Sequence, residues 1–436
     1  MHEFKFLDGE LHCEDVPLRR IAEEVGTPVY IYSRRTLRDH YRKLDEAFSG
    51  LPHLICYSVK ANSNLAVLST LAAEGAGADI VSGGELFRAL RVGMAADKVV
   101  YAGIGKTAEE IEYALRSRIL MFNVESETEL YVIDRVAGEL GVKARIALRV
   151  NPDVDAGAHP YIATGLREAK FGIDIEEALS VYGHAALLPN VEVVGVHQHI
   201  GSQITSVEPF RESIAIVGEL VKRLQANGTA IRFINIGGGF GIPYRQEEVP
   251  YPRDYAQALK PVLGESGCTV ILEIGRMIVG NAGILATRVL YRKHTGEKGF
   301  LVVDAAMNDL IRPSLYGSYH EIVPAVKAER EEEIVDVVGP VCESGDFLAR
   351  DRALSRAEPG ELLAVMSAGA YSFAMSSNYN SRRRAAEVMV DGGSFVVVRE
   401  REDYEDLVRG ERVWVEPAGE DAASVLQPDI TGGGTA

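Results

Sequence analysis

The sequence predicts an α/β fold: a (β/α)8 barrel plus a C-terminal all-β domain, sandwich-like or barrel-like, that also takes in the N-terminal strands. Three observations predict it. Eight short apolar runs alternate with amphipathic stretches through the middle of the chain, the pattern of a parallel barrel wrapped in helices. After residue 280 the helical period stops and β-rich runs follow one another between turn residues. Two strand-like segments, FKFLDGELHCEDV from residue 4 and TPVYIYS from residue 27, precede the barrel.

The eight runs lie at 54–60, 76–82, 98–103, 119–126, 144–151, 191–199, 232–238 and 269–275. Helical stretches fall between them, at 84–93, 107–117 and 127–140 among others. The last carries Leu130, Val132, Ile133, Val136 and Leu140 near a 3.6-residue period. An open doubly wound sheet also alternates in this way, but no dinucleotide fingerprint follows the first run, and eight is the number at which a barrel closes. The later runs are ILATRVLYRK, GFLVVDAA, EEIVDVVGPVC, ELLAVMSAGAYS, AAEVMVDGGSFVVVRE and ERVWVE. The expected organisation is therefore a barrel over 34–279, a β domain from 1–33 and 280–420, and a flexible tail at 421–436.

The bulk numbers suit an enzyme of this design. The chain has 436 residues, 47% of them hydrophobic and 25% charged, with a net charge of −17. With no long basic run, nucleic acid and anionic membrane are excluded as expected partners. The start, MHEFKFLDGEL, is charged throughout and lacks the apolar core of a signal peptide. The uncharged stretch from Leu362 to Ser381 is too polar for a membrane span. Cys13, Cys56, Cys268 and Cys342 are scattered without a CxxC pair, so neither a metal site nor a disulfide framework is expected, and a cytoplasmic location is.

In such a barrel the chemistry sits where strands end. The polar strand ends are Lys60-Ala61-Asn62, Asp79 before Ser82-Gly83-Gly84-Glu85, Arg149-Val150-Asn151, His197 to Gln203, Gly237 to Gly241, and Glu273-Ile274-Gly275-Arg276. The glycine run exposes backbone N–H groups to which a phosphate can draw close, at the strands where barrels often bind one; it reads equally as a tight turn. Lys60 ends an apolar strand. It is either a lysine snorkelling from the rim or an amine that sheds its proton in a dry pocket and attacks an aldehyde. Beside a phosphate cradle the second reading gains, and the pair suggests an aldehyde cofactor bearing a phosphate. His199 can lie against a flat cofactor or be a hydrogen-bonded core histidine. Glu273 alone reads as a solvated acid, and its place before Gly275-Arg276 raises its interest.

Ten segments, taken in order, carry a resemblance: YSVKAN (57–62), GADIVSGGEL (77–86), KFGI (170–173), HIGSQ (199–203), GGGFGI (237–242), EIGR (273–276), DAAMNDLIRPSLYGSYH (304–320), VGPVCESGDFLA (338–349), GAYSFAMSSNYNSR (369–382) and AEVMV (386–390). Together they resemble the alanine-racemase-like family of pyridoxal-phosphate-dependent decarboxylases, and within it the branch acting on diaminopimelate. The resemblance implies pyridoxal 5'-phosphate as cofactor, a small amino-acid substrate and a homodimer with shared active sites. Lys60 would bind the cofactor's aldehyde. His199 would pack on its ring, and Glu273 would pair with its ring nitrogen, where racemases of the family carry an arginine. Ser202, Gly238 and Gly239 would hold the phosphate with the backbone of Ile274, Gly275 and Arg276, and Asp79 and Arg149 would complete the cofactor site. Arg276, Arg312, Tyr316, Glu343 and Tyr371 would bind substrate, with Tyr371 also touching the cofactor. Cys342 would protonate the carbon left as carbon dioxide departs, reaching over from the partner subunit.

The activity so implied is decarboxylation of meso-2,6-diaminopimelate to L-lysine, the last step of lysine biosynthesis. Decarboxylases of ornithine, arginine, D-lysine or carboxynorspermidine are the rivals; those acting on simple diamino acids have no distal carboxylate for Arg312 and Tyr316 to hold. The sequence departs from the family pattern twice. Ile274 stands where the family usually has proline, and Arg383 and Ala385 replace prolines after NYNSR. Loss of the first proline frees backbone without removing side-chain chemistry.

Overall fold

The computed structural model describes residues 2–155, 157, 170–245 and 247–414. All eight expected runs form strands of one closed parallel sheet: β1 (His53–Ser58), β2 (Gly77–Ile80), β3 (Val99–Tyr101), β4 (Met121–Val124), β5 (Ala144–Asn151), β6 (Val191–His197), β7 (Phe233–Asn235) and β8 (Thr269–Ile274). Neighbours in sequence are neighbours in the sheet, β8 pairs with β1, and β4 with β5, so the ring closes. The expected helices are present as Gly83–Arg91, Ala108–Ser117 and Glu127–Leu140. Each begins on a hydroxyl cap. Ser82 accepts from the Glu85 N–H and Ser126 from that of Glu129, while Thr107 and Glu110 form a reciprocal capping box.

Strand alternation sets the site. Cys56, Val100, Met121, Ala147, Val194 and Ile271, from six different strands, pack together as a small cluster separate from the main core. Only inward-facing side chains of a closed barrel can meet in that way. Two residues further along the same face come Ser58 on β1, Asn123 on β4, Arg149 on β5 and Glu273 on β8. On β6 the register shifts around Val194, and this brings His197 level with Arg149 on one side and Asn235 on the other. A polar tier thus rests on an apolar plug at the C-terminal mouth.

Apart from the short Ile173–Asp174, which pairs with β5, the remaining strands build the β domain. Val29–Ser33 lies at the heart of a second sheet, antiparallel to Gly283–Thr295 and parallel to Ala386–Asp391. That sheet continues through Lys298–Val303, Glu332–Val338 and Phe347–Ser355 on one side and Ser394–Arg399 on the other. The segment from residue 4 forms a small sheet of its own (Phe4–Leu7, Glu10–Cys13, Val16–Pro17) rather than joining the large one. It docks through Phe4, Leu11, Cys13 and Val16 onto Val29, Ile31, Ile284 and Val388.

Two expectations are corrected, and one strand appears that was not expected. Lys60 does not end β1, which stops at Ser58; it sits in the 3-10 turn Val59–Ala61. Residues 411–414 of ERVWVE pair with no strand, and Val413 and Trp414 are 89% and 83% exposed, because an alternating run without a ladder partner gains nothing from being extended. Phe347–Ser355 is a strand, although its Arg-Asp-Arg centre hides the alternation. The expected tail at 421–436 lies outside the described residues.

Candidate active site

A cavity of about 930 Å³ opens at the barrel mouth, lined by Lys60, Arg149, His199, Ser202, Glu273, Ile274, Gly275, Arg276, Arg312, Tyr316 and Tyr371 among others. With Gly239, twelve of the expected site residues thus meet in one space. Asp79 stands directly behind it, hydrogen-bonded to Lys60. Gly238 is turned away, donating its N–H to His199 Nδ1 at 3.1 Å. Cys342 and Glu343 do not line the cavity; both are exposed, held at an edge by Asn380 and Tyr379.

Lys60 donates from Nζ to Asp79 Oδ2 at 3.0 Å, with its side chain 38% accessible. Ser58 Oγ donates to the same carboxylate at 2.7 Å. Burial works to lower the Lys60 ammonium, but the Asp79 carboxylate, Tyr371 and Glu273 outweigh it and hold the group above the usual lysine range. The expectation that a dry pocket alone would strip its proton is therefore corrected: the pocket supplies a counter-ion. Burial and the charge of Glu273 push the Asp79 carboxyl up.

Glu273 is held by three side chains. Asn123 Nδ2 and Asn235 Nδ2 each donate to Oε1 at 2.7 Å, and His197 Nε2 meets Oε2 at 3.2 Å. Burial opposes its ionisation, yet His197, Lys60 and Asn235 prevail and keep the carboxyl below the usual range. Neither asparagine was singled out in the sequence. Asn123 stands 150 residues from Glu273, so spacing carries no trace of the contact; only the inward alternation of β4 and β7 points to both.

His199 is held neutral, well below the usual histidine range, by burial and then by Arg149 and Lys60. Because Nδ1 accepts from Gly238, the ring proton is on Nε2. Arg149 donates to Glu125 at 2.8 Å and lies over the Phe171 ring, while the other Glu125 oxygen takes the Gly172 N–H at 3.0 Å. The KFGI segment is thereby tied to the polar tier.

The glycine run is required by packing as well as by any ligand. A Cβ at Gly238 would stand 2.0 Å from the Glu273 carbonyl, and one at Gly239, which has φ +106°, would stand 2.4 Å from that of Gly201. Gly238→Ala must push β8 aside. It is expected to cost about 3 kcal/mol, read as a lower denaturant midpoint; a midpoint equal to wild type would show that the turn relaxes freely.

Opposite Lys60 stand two buried arginines. Arg276 donates to Tyr244 Oη at 2.7 Å and to Ser202 Oγ at 2.9 Å, and it lies over the Tyr371 ring. Arg312 donates to His320 Nε2 at 2.8 Å, and His320 donates from Nδ1 to the Met366 carbonyl. Burial and Arg312 drive His320 down to about 3, so its Nε2 stays unprotonated and accepts from the arginine, aiming it. Tyr371 enters from the β domain at φ +55°, its N–H bonded to the Ala61 carbonyl at 2.8 Å beside Lys60. Tyr244 was missed because it orients an arginine 32 residues away; His320, 8 residues from Arg312 and inside the segment 304–320, was missed because it acts only through that arginine.

This donor set fits a pyridoxal phosphate. A lysine amine, a buried anion and a neutral imidazole share the cavity with Ser202, Gly239 and Arg276, and Asp79 Oδ1 and Arg276 Nε are buried without partners. A model of the pyridoxal-dependent decarboxylases, for their pyridoxal binding domain, matches residues 34–280. The diaminopimelate decarboxylase of Aquifex aeolicus is 51% identical over 93% of this chain and 96% of its own length. That of Pseudomonas aeruginosa is 53% identical over 94% and 99%. Among solved structures, diaminopimelate decarboxylase from Helicobacter pylori complexed with L-lysine superposes with a TM-score of 0.87 at 44% identity, covering 90% of this chain and 98% of that one. By the model matched over its barrel and by identity along nearly its whole length, the chain belongs to the pyridoxal-dependent decarboxylases, in the diaminopimelate decarboxylase family.

Proposed function

We propose that the protein decarboxylates meso-2,6-diaminopimelate to L-lysine and carbon dioxide, the last step of lysine biosynthesis, with pyridoxal 5'-phosphate as cofactor. The observation that carries this reading is the pair of buried arginines, Arg276 and Arg312, in the same cavity as Lys60. They suit a substrate that carries a carboxylate at its far end.

When bound, the cofactor supplies the sink for the electron pair released as carbon dioxide departs. Lys60 holds its aldehyde carbon, and Asp79 keeps the amine in place. Glu273 would pair with its ring nitrogen, and His199 would pack on its ring. Ser202, Gly239 and the backbone of Ile274, Gly275 and Arg276 take the phosphate, with Arg149 bracing the floor. Gly238 contributes by setting the His199 ring rather than by facing the phosphate. Arg312, aimed by His320, clamps the distal carboxylate with Arg276, and Tyr316 and Tyr371 close the sides.

The active sites are shared in a homodimer. Cys342 and Glu343, exposed and off the cavity of their own chain, reach the cavity of the partner subunit, the cysteine to deliver a proton and the glutamate to accept the distal ammonium. A cytoplasmic location suits the four free cysteines. No described helix is long and apolar enough to cross a membrane.

The test is to assay the purified protein with meso-diaminopimelate, ornithine, arginine, D-lysine and carboxynorspermidine. Fastest turnover of diaminopimelate is expected, and faster turnover of any other would overturn the assignment. Arg312→Met is expected to lose about 2 kcal/mol of binding, roughly thirtyfold in kcat/KM for diaminopimelate. An unchanged kcat/KM would remove Arg312 from the substrate clamp.

A further inference from the structure

Two buried carboxylates, Asp79 on β2 and Glu273 on β8, stand on either side of β1, and they are furnished differently. Asp79 takes Ser58 Oγ and Lys60 Nζ on one oxygen, and its other oxygen is buried without a partner. Glu273 takes two amide N–H groups on Oε1 and His197 on Oε2. A carboxylate offers about four lone-pair sites. Oε1 is therefore full, and one site is left on Oε2, beside His197.

His197 is itself constrained. It is 1% exposed, lines the cavity with Glu273, and has Nδ1 buried without a partner. To donate to a carboxylate, Nε2 must carry a proton. A second proton on Nδ1 would be a buried donor with nothing to meet. Nε2 is thus the ring nitrogen whose proton is given to Glu273. Nothing else on β6 can take its place, because the irregular register around Val194 is what brings residue 197 level with the floor.

Building on the cofactor assignment above, we propose that His197 is a positioning residue which shares Oε2 of Glu273 with the cofactor's ring nitrogen and, with Asn123 and Asn235, keeps the shared proton on the ring. The chemistry follows from the donors. Each N–H given to the carboxylate stabilises its charged form, so a proton held between Oε2 and a ring nitrogen moves toward the nitrogen. A ring that keeps its positive charge is the better electron sink. Asp79 receives no such set and remains the partner of Lys60. The two acids thus divide their work by the number of N–H donors around each.

The test uses the holoenzyme with His197→Leu, which removes the donor, and His197→Gln, whose amide restores one. In the leucine variant the bound chromophore loses ring charge, and the Lys60 nitrogen joined to it holds its own proton to higher pH. The midpoint of its visible absorption change is expected to move up by about one pH unit. The same variant is expected to lose about tenfold in kcat with KM changed less than about twofold. The glutamine variant is expected to keep the wild-type midpoint. An unmoved midpoint in the leucine variant, or equal shifts in both variants, would overturn the proposal. Should His197→Leu fail to fold, the nitrogen-15 shift of the cofactor ring in the wild-type enzyme decides: a protonated nitrogen is expected, and an unprotonated one would overturn it. Failure of the cofactor assignment is distinguishable, because the wild-type enzyme would then show no bound chromophore and form no lysine.

Discussion

Lys60→Ala is expected to lower lysine formation by roughly 10⁴-fold or more, since the residue both attaches the cofactor and stands ready to pass protons. Borohydride reduction of the wild-type enzyme is expected to fix the cofactor on the peptide containing Lys60, and on no peptide of the alanine variant. Stability gives an independent readout. The raised Lys60 group contributes stability below the usual lysine range that is lost as pH rises through its folded value. Without the lysine, Asp79 is a buried carboxylate with Ser58 as its hydrogen-bond donor. Its own raised range means that charging it opposes folding, so the alanine variant is expected to grow more stable relative to wild type as pH falls through that range. Retained turnover, or the same reduced peptide label elsewhere in the chain, would move the attachment point away from Lys60.

Much of this arrangement is legible in the sequence, for an identifiable reason. Period-2 alternation fixes which face of a strand turns inward, so once Cys56 and Ile271 are placed in the apolar plug, Ser58 and Glu273 must lie in the tier above. What alternation does not give is who meets whom across the ring. Glu273 meets Asn123, Asn235 and His197 from three other strands, and the short β4 and β7 offer too little pattern to draw attention to their asparagines. The titration of Lys60 was misjudged for the same reason: dryness is a local property that can be read from YSVK, but the counter-ion comes from the next strand. In the β domain the errors run the other way. ERVWVE has the composition of a strand, yet its described residues 411–414 have no partner, while Phe347–Ser355 is a strand because Glu332–Val338 lies beside it. Pairing decides, and pairing is non-local.

Cys342→Ala is expected to lower kcat by about 10²-fold to 10³-fold while leaving cofactor binding and its spectrum intact, because Cys342 lies off the cavity that holds Lys60 in the same chain. That separation makes a sharper experiment possible. A Lys60→Ala chain still carries Cys342, and a Cys342→Ala chain still carries Lys60. If each active site takes its lysine from one subunit and its cysteine from the other, a mixed dimer has one complete site and one that lacks both groups. Equal amounts of the two inactive variants, allowed to exchange subunits at random, are expected to recover about a quarter of wild-type activity. A site built within one chain predicts none, since every site in every dimer would then lack one group. Adding Glu343→Ala to either parent separates the roles further. On the chain that contributes Cys342 it is expected to raise KM for diaminopimelate; on the chain that contributes Lys60 it falls in the dead site and is expected to change nothing. Recovery with the opposite pattern would place the glutamate in its own chain's cavity.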